Sequence, residues 1–254
     1  MPIDSTHLSS RVLGMRVDAT DYARATSRII ELARAGCGAY VCAANVHMCM
    51  EAYDDPAFRA VVEGAALVTP DGMPLVYMLR RLGFPAQTRV YGPDLTLHVL
   101  AAAAAARIAV GLYGGEQTTL DSLQRIYRER FPGLNITYAY SPPFRRLSEA
   151  EDAVIVDSIR AAGVGLLLVG LGCPKQERWV AAHRDRLPCA QLAIGAAFAF
   201  HAGEVSQAPS WMQRLSLEWL YRLCAEPRRL WRRYLYNNPR FLALAGWQLA
   251  RGAR

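Results

Sequence analysis

The chain has 254 residues, 52% hydrophobic and 20% charged, with a formal net charge of +7. That length and balance suit one large core plus an appendage, and exclude a disordered or fibrous chain. Six cysteines form no C-x-x-C pair, no signal peptide is evident, and no 18 residues are continuously apolar; free thiols in a reducing compartment are expected, without disulfides, zinc or a conventional membrane span.

In chain order, residues 11–18 around Gly14 read as a hairpin or sheet edge. Apolar, β-rich stretches follow at 39–44, 66–69, 107–113, 134–140, 164–170 and 191–196. Between them lie helical patterns at 21–35, 56–63, 74–82, 95–106, 118–130, 149–161 and 176–187. Such alternation predicts an α/β fold, a Rossmann-like and mostly parallel sheet with helices on both faces. The six alanines at 101–106 suit a closely packed helix, and no repeat architecture is present.

From Trp211 onward the composition changes. Nine arginines face two glutamates there, which equals the net charge of the whole chain, and four of the five tryptophans lie in the same segment. We therefore divide the chain into a catalytic domain at 1–210 and a basic, helical C-terminal appendage at 211–254. Pro209, Pro227 and Pro239 each suit a first helical turn, which predicts three short amphipathic helices. Solvated arginines over apolar faces docked on the core would explain the pattern. Contact with an anionic membrane surface or a polyanionic ligand would explain it too, since arginine pairs with phosphate and tryptophan favours the lipid interface. Nucleic acid is not expected as a partner, because residues 1–210 balance at 20 basic against 20 acidic groups. The apolar helices of the first 210 residues leave room for a homo-oligomer.

Ligands of parallel α/β sheets sit at the carboxyl ends of the strands. Five groups collect at that rim: Asn45; Asp71 in Thr69-Pro70-Asp71-Gly72; Gly114 and Gly115; Tyr140; and Lys175-Gln176-Glu177. Lys175 is the only lysine of the chain, and it opens a helix after a Gly-Pro turn, a geometry that presents N–H groups to an anion. Singly, each group also fits a blander role: Asn45 as a helix cap, Pro-Asp-Gly and Gly-Gly as turns, Glu177 as a capping residue. His47 at a helix start, His98 and His201 read more readily as structural than as catalytic.

Several separated motifs resemble the WecG/TagA/CpsF glycosyltransferases. They are Asn45-Val46-His47-Met48, Pro70-Asp71-Gly72-Met73-Pro74-Leu75, Arg89-Val90-Tyr91-Gly92-Pro93-Asp94, Gly170-Leu171-Gly172-x-Pro174-Lys175-Gln176-Glu177, Glu218-Trp219-x-Tyr221-Arg222-Leu223 and Glu226-Pro227-Arg228-Arg229. The likeness runs unbroken from about Val12 to Phe241, closest to members serving exopolysaccharide assembly. It implies inverting, metal-independent transfer of a hexose or N-acetylhexosamine from a UDP-sugar to an undecaprenyl-diphosphate-linked saccharide. The implied place is the cytoplasmic face of the bacterial inner membrane, with the protein bound peripherally and no cofactor beyond its substrates. Asp71 matches the family's catalytic base, Arg89 and Gln176 its pocket residues, and Arg222, Arg229 and Arg232 the tail arginines that close over the donor diphosphate. Ala43 departs from the family, which often carries threonine there.

The residues fit that chemistry independently. Displacing UDP by a sugar hydroxyl needs a base on the acceptor and relief of charge on the departing diphosphate. The chain has no D-x-D triplet to hold a divalent ion, so arginines and helix N-termini are the groups available for the second task. Two alternatives are a nicotinamide-dependent oxidoreductase, for which the full G-x-G-x-x-G fingerprint is missing, and a non-enzymatic membrane adaptor, which would need none of the rim residues.

Overall fold

The computed structural model describes residues 8–252. Arg254, counted in the basic tail, lies outside them. The chain opens with an antiparallel hairpin, β1 (Ser9–Val12) and β2 (Met15–Asp18). Its two-residue turn places Leu13 and Gly14 at φ 50° and 85°, as a tight right-twisted hairpin requires.

The domain that follows runs α1 (Tyr22–Ala35), β3 (Tyr40–Ala44), α2 (Val46–Asp54), α3 (Pro56–Glu63), β4 (Leu67–Pro70), α4 (Met73–Arg81), α5 (Gly92–Ala105), β5 (Val110–Gly114), α6 (Gln117–Arg130), β6 (Ile136–Tyr140), α7 (Glu149–Ala161), β7 (Leu166–Gly170), α8 (Lys175–His183), β8 (Ala190–Ala193) and α9 (Ala197–His201). The six strands after the hairpin form one parallel sheet in the order β4-β3-β8-β7-β5-β6. Strand residues alternate between its two faces. Leu167 and Val169 of β7 join a core with α2, α3, α7 and α8, whereas Leu166 and Leu168 join the opposite core with α1, α5 and α6. Burial on both faces explains why the central strands read as continuous apolar runs.

All six predicted sheet strands are present, with boundaries shifted by a few residues. The 107–113 strand starts at Val110, because Arg107 turns through φ 54° after α5. The 176–187 helix ends at His183. Two helices, α2 and α9, went unread; α2 buries Met48, Cys49, Met50 and Ala52 and so shows no clean polar face.

The appendage forms α10 (Ser210–Arg214), α11 (Glu218–Ala225) and α12 (Pro227–Ala250). Pro209 and Pro227 flank helix starts as expected, but Pro239 lies inside α12 instead of opening a third helix. The carbonyl it leaves without an N–H partner belongs to Leu235, which is exposed, so water can satisfy it. Leu230, Phe241 and Ala245 are the buried apolar contacts of α12.

Candidate active site

Asp71 follows β4 directly, and its Oδ1 accepts the Gly92 N–H at 2.7 Å, which fixes the carboxylate over the start of α5. Burial pushes its pKa up to about 6; the Arg89 guanidinium and the Gly92 N–H resist that rise, and Glu218 adds to it. Arg89 Nε donates to the Asp71 carbonyl at 2.5 Å while its terminal nitrogen pairs with Glu218 at 2.7 Å. The Tyr91 hydroxyl donates to the same Glu218 carboxylate at 2.9 Å, and Arg89 lies 3.9 Å over the Tyr91 ring. Glu218 opens α11, so the appendage is clasped to the domain beside the buried carboxylate.

Two cavities meet at Asp71. The larger, about 490 Å³, spans the carboxyl ends of the strands and includes Ala43, Gly115, Gly172, Gln176, Glu177, Arg222, Arg229 and Arg233. The smaller, about 110 Å³, lies between α2, the start of α4 and the appendage, and includes His47, Arg89, Trp219, Tyr234, Asn237 and Asn238. Asn45, Asp71, Glu218, Arg222 and Arg233 line both. Asn45 also caps α2, accepting the Met48 N–H at 3.2 Å.

On its appendage side the larger cavity carries the guanidiniums of Arg222, Arg229 and Arg233, and Asp71, Glu116, Glu177, Glu204 and Glu218 also line it. Burial lowers the pKa of Arg233, the nearby Arg222 and Arg229 add to that, and its Nε finds no hydrogen-bond partner among the described residues. Arg222 and Arg229 share Glu226 at 3.9 and 2.7 Å, so a polyanion there would pair with Arg233 and compete with Glu226 for the other two. Gln176 is held rigidly, with Oε1 accepting the Gly172 N–H at 3.0 Å and Nε2 donating to Glu177 at 2.8 Å. Glu177 is fully buried and burial raises its pKa, so in the first turn of α8 it faces the cavity rather than solvent. Among the described residues no group of three or more His, Cys, Asp or Glu side chains is arranged to hold a metal ion.

The structure thus brings together Asn45, Asp71, Arg89, Gly115, Gln176, Arg222 and Arg229. Four other candidates stand apart. Lys175 is exposed at the start of α8 and lines neither cavity. Tyr140 ends the outermost strand β6, where it stacks on Tyr113 at 6.3 Å and lines neither cavity. Gly114, at φ 106°, packs so closely that a Cβ would come within 2.6 Å of the Gly170 carbonyl, and it lines neither cavity. Arg232 is exposed over Trp231, and its neighbour Arg233 turns inward instead. Sequence reasoning missed Glu218, Tyr91 and Arg233 as site residues, although Glu218 and Tyr91 sat within the quoted motifs. Ala43 does line the larger cavity, offering it a methyl.

Residues 10–254 match the glycosyl transferase WecG/TagA/CpsF family. The chain belongs to that family. It is 33% identical over 200 residues to a protein of Bacillus spizizenii (strain ATCC 23059 / NRRL B-14472 / W23), covering 78% of this chain and 75% of the relative. A Bacillus subtilis (strain 168) protein is 29% identical over 199 residues, with the same coverage. Both relatives are named N-acetylglucosaminyldiphosphoundecaprenol N-acetyl-beta-D-mannosaminyltransferase. This WecG/TagA/CpsF member is therefore a glycosyltransferase, and the oxidoreductase and adaptor alternatives fall away. No helix among its described residues is long and apolar enough to cross a membrane.

Proposed function

We propose that the enzyme transfers a hexose or N-acetylhexosamine from a UDP-sugar to a saccharide on undecaprenyl diphosphate, with inversion and without a metal ion. The observation that carries this reading is the position of Asp71 on the wall shared by two cavities, enclosed enough to hold its pKa near 6. A carboxylate so placed is a stronger base than an exposed one and is still largely ionised at neutral pH. It takes the proton of the acceptor hydroxyl as that oxygen bonds to the anomeric carbon from the face opposite UDP. The bond from carbon to the diphosphate oxygen breaks, and the negative charge passes to UDP beside Arg222, Arg229 and Arg233.

The reading places the enzyme at the inner face of the bacterial plasma membrane, where such a lipid acceptor would be met. Trp231, Leu235 and Leu242 recur at helical spacing on α12 and are exposed, with Tyr236 and Trp247 beside them and arginines between. That combination supports peripheral attachment to anionic lipid.

The decisive test is Asp71→Asn, which keeps the acceptor for the Gly92 N–H. With a panel of UDP-sugars and a synthetic lipid-diphosphate saccharide, we expect kcat to fall by ~10²–10⁴ while UDP binding persists. Turnover within a fewfold of wild type would remove Asp71 as the base. Wild-type turnover is expected to survive EDTA, and a strict divalent-ion requirement would overturn the arginine mechanism.

A further inference from the structure

The smaller cavity has a different chemistry from the larger, and its far wall belongs entirely to the appendage. Trp219 comes from α11, and Tyr234, Asn237 and Asn238 come from α12. The Trp219 and Tyr234 rings stand 6.0 Å apart at 59°, forming an angled aromatic corner. Asn237 is fixed by its contact with His47 Nδ1 at 3.2 Å, and Asn238 has no side-chain hydrogen bond to the described residues. His47 is kept neutral by burial and by Arg233, its pKa lowered to about 4. Arg89, the cation on the domain side, is already neutralised by Glu218.

Aromatic faces with carboxamides suit the C–H face and hydroxyls of a sugar ring, whereas the glycine-rich strand ends of the larger cavity, with Arg229 beside the shared Arg222 and Arg233, suit a nucleoside diphosphate. A displacement reaction adds a geometric demand. The base must reach the acceptor hydroxyl while that hydroxyl faces the donor carbon, so acceptor and donor must occupy compartments that share the base. Asp71 and Asn45 form the domain side of that common wall, and Glu218, Arg222 and Arg233 its appendage side.

Resting on the glycosyl-transfer reading above, we propose that the smaller cavity is the subsite for the acceptor's sugar ring, and that the C-terminal appendage supplies its recognition surface through Trp219, Tyr234 and Asn238. The appendage then selects the acceptor as well as closing over the donor, and a chain without it would lack the saccharide site and not merely its membrane anchor.

Calorimetry on the full chain separates the compartments. UDP is titrated alone, and an N-acetylglucosaminyl diphospholipid with a short, soluble prenyl chain is titrated at saturating UDP. Asn238→Ala and Trp219→Leu are expected to weaken saccharide binding about tenfold while UDP affinity stays within about twofold of wild type. Matching melting temperatures will confirm that both variants fold. In turnover the same variants are expected to raise the acceptor KM and leave the donor KM in place. Saccharide affinity unchanged in both variants, a parallel loss of UDP affinity, or no saccharide binding by the wild type would each overturn the inference. A wild type that binds the saccharide and loses it on Asn238→Ala, yet turns over no UDP-sugar, would keep the subsite and remove the donor reading.

Discussion

The rim of the sheet and the appendage contribute to one site by different physical means. Asn45 and Asp71 directly follow almost wholly buried strands, so the register of the sheet fixes where they stand, and Gln176 in the first turn of α8 is tied back to the turn after β7 through the Gly172 N–H. On the appendage side α11 has no fully buried residue. It is joined to the rim through Glu218, shared between Arg89 and Tyr91. Further along, α12 is anchored by Phe241 and Ala245 in the main core and by the two-pronged pair of Arg240 with Asp54 at 2.5 Å. The proposed base is thus preorganised, while the arginines proposed to serve the leaving group ride on an appendage held at one end by packing and clasped at the other by charge. Apolar packing resists small movements, and a charge clasp can exchange its partners for an incoming diphosphate.

The largest effect is expected at the packed end. Phe241→Ala empties a site 2% exposed in the core that also contains the hairpin residues Val12 and Met15, and should cost about 3–5 kcal/mol. If α12 belongs to the core, thermal unfolding will remain a single transition at a clearly lower temperature. An unchanged main transition with a separate early one would show that the appendage unfolds on its own, and the contrast between its two ends would fail.

At the clasp the expected effect is smaller and depends on pH. As the proposed base Asp71 must be ionised, so the rate should rise with pH through about 6 and then level off. Glu218 raises the pKa of Asp71 and Arg89 lowers it. Replacing Glu218 with glutamine removes a nearby negative charge and leaves Arg89 without its neutralising partner. Both changes favour the Asp71 carboxylate, so the acid limb of kcat/KM should move to lower pH. The plateau should fall about tenfold, because the clasp is lost and a base of lower pKa is weaker. A limb that moved upward would mean that some group other than Asp71 titrates.

These contrasts follow what the sequence could convey. Alternating apolar runs made the parallel sheet legible because that signal is local; the structure adds the equally local caps, Asp21 accepting the Arg24 N–H at the start of α1 and Ser148 completing a capping box at α7. Rim residues were legible because strand ends converge by topology. Glu218 was not, since its partner Arg89 lies 129 residues away and nothing in either segment names the other. Arg232 was named through the family likeness and not from helix phase; adjacent residues on α12 point about 100° apart, and it is Arg233 that lines the cavity.

The same one-residue issue at α8 gives the smallest expected effect and the sharpest check on a fixed rim. Gln176 is buried and tied to the Gly172 N–H, which leaves its neighbour Lys175 facing outward in the first helical turn. A cation there opposes the helix dipole instead of exploiting it. Lys175→Ala should therefore shift stability by no more than about 0.5 kcal/mol, in either direction, and change the donor KM by less than about twofold. A donor KM raised tenfold or more with kcat intact would mean that Lys175 reaches the diphosphate after all. That would require the Gly172 turn to swing when donor binds, breaking the Gln176 hydrogen bond, and the rim would then be as mobile a partner in closure as the appendage.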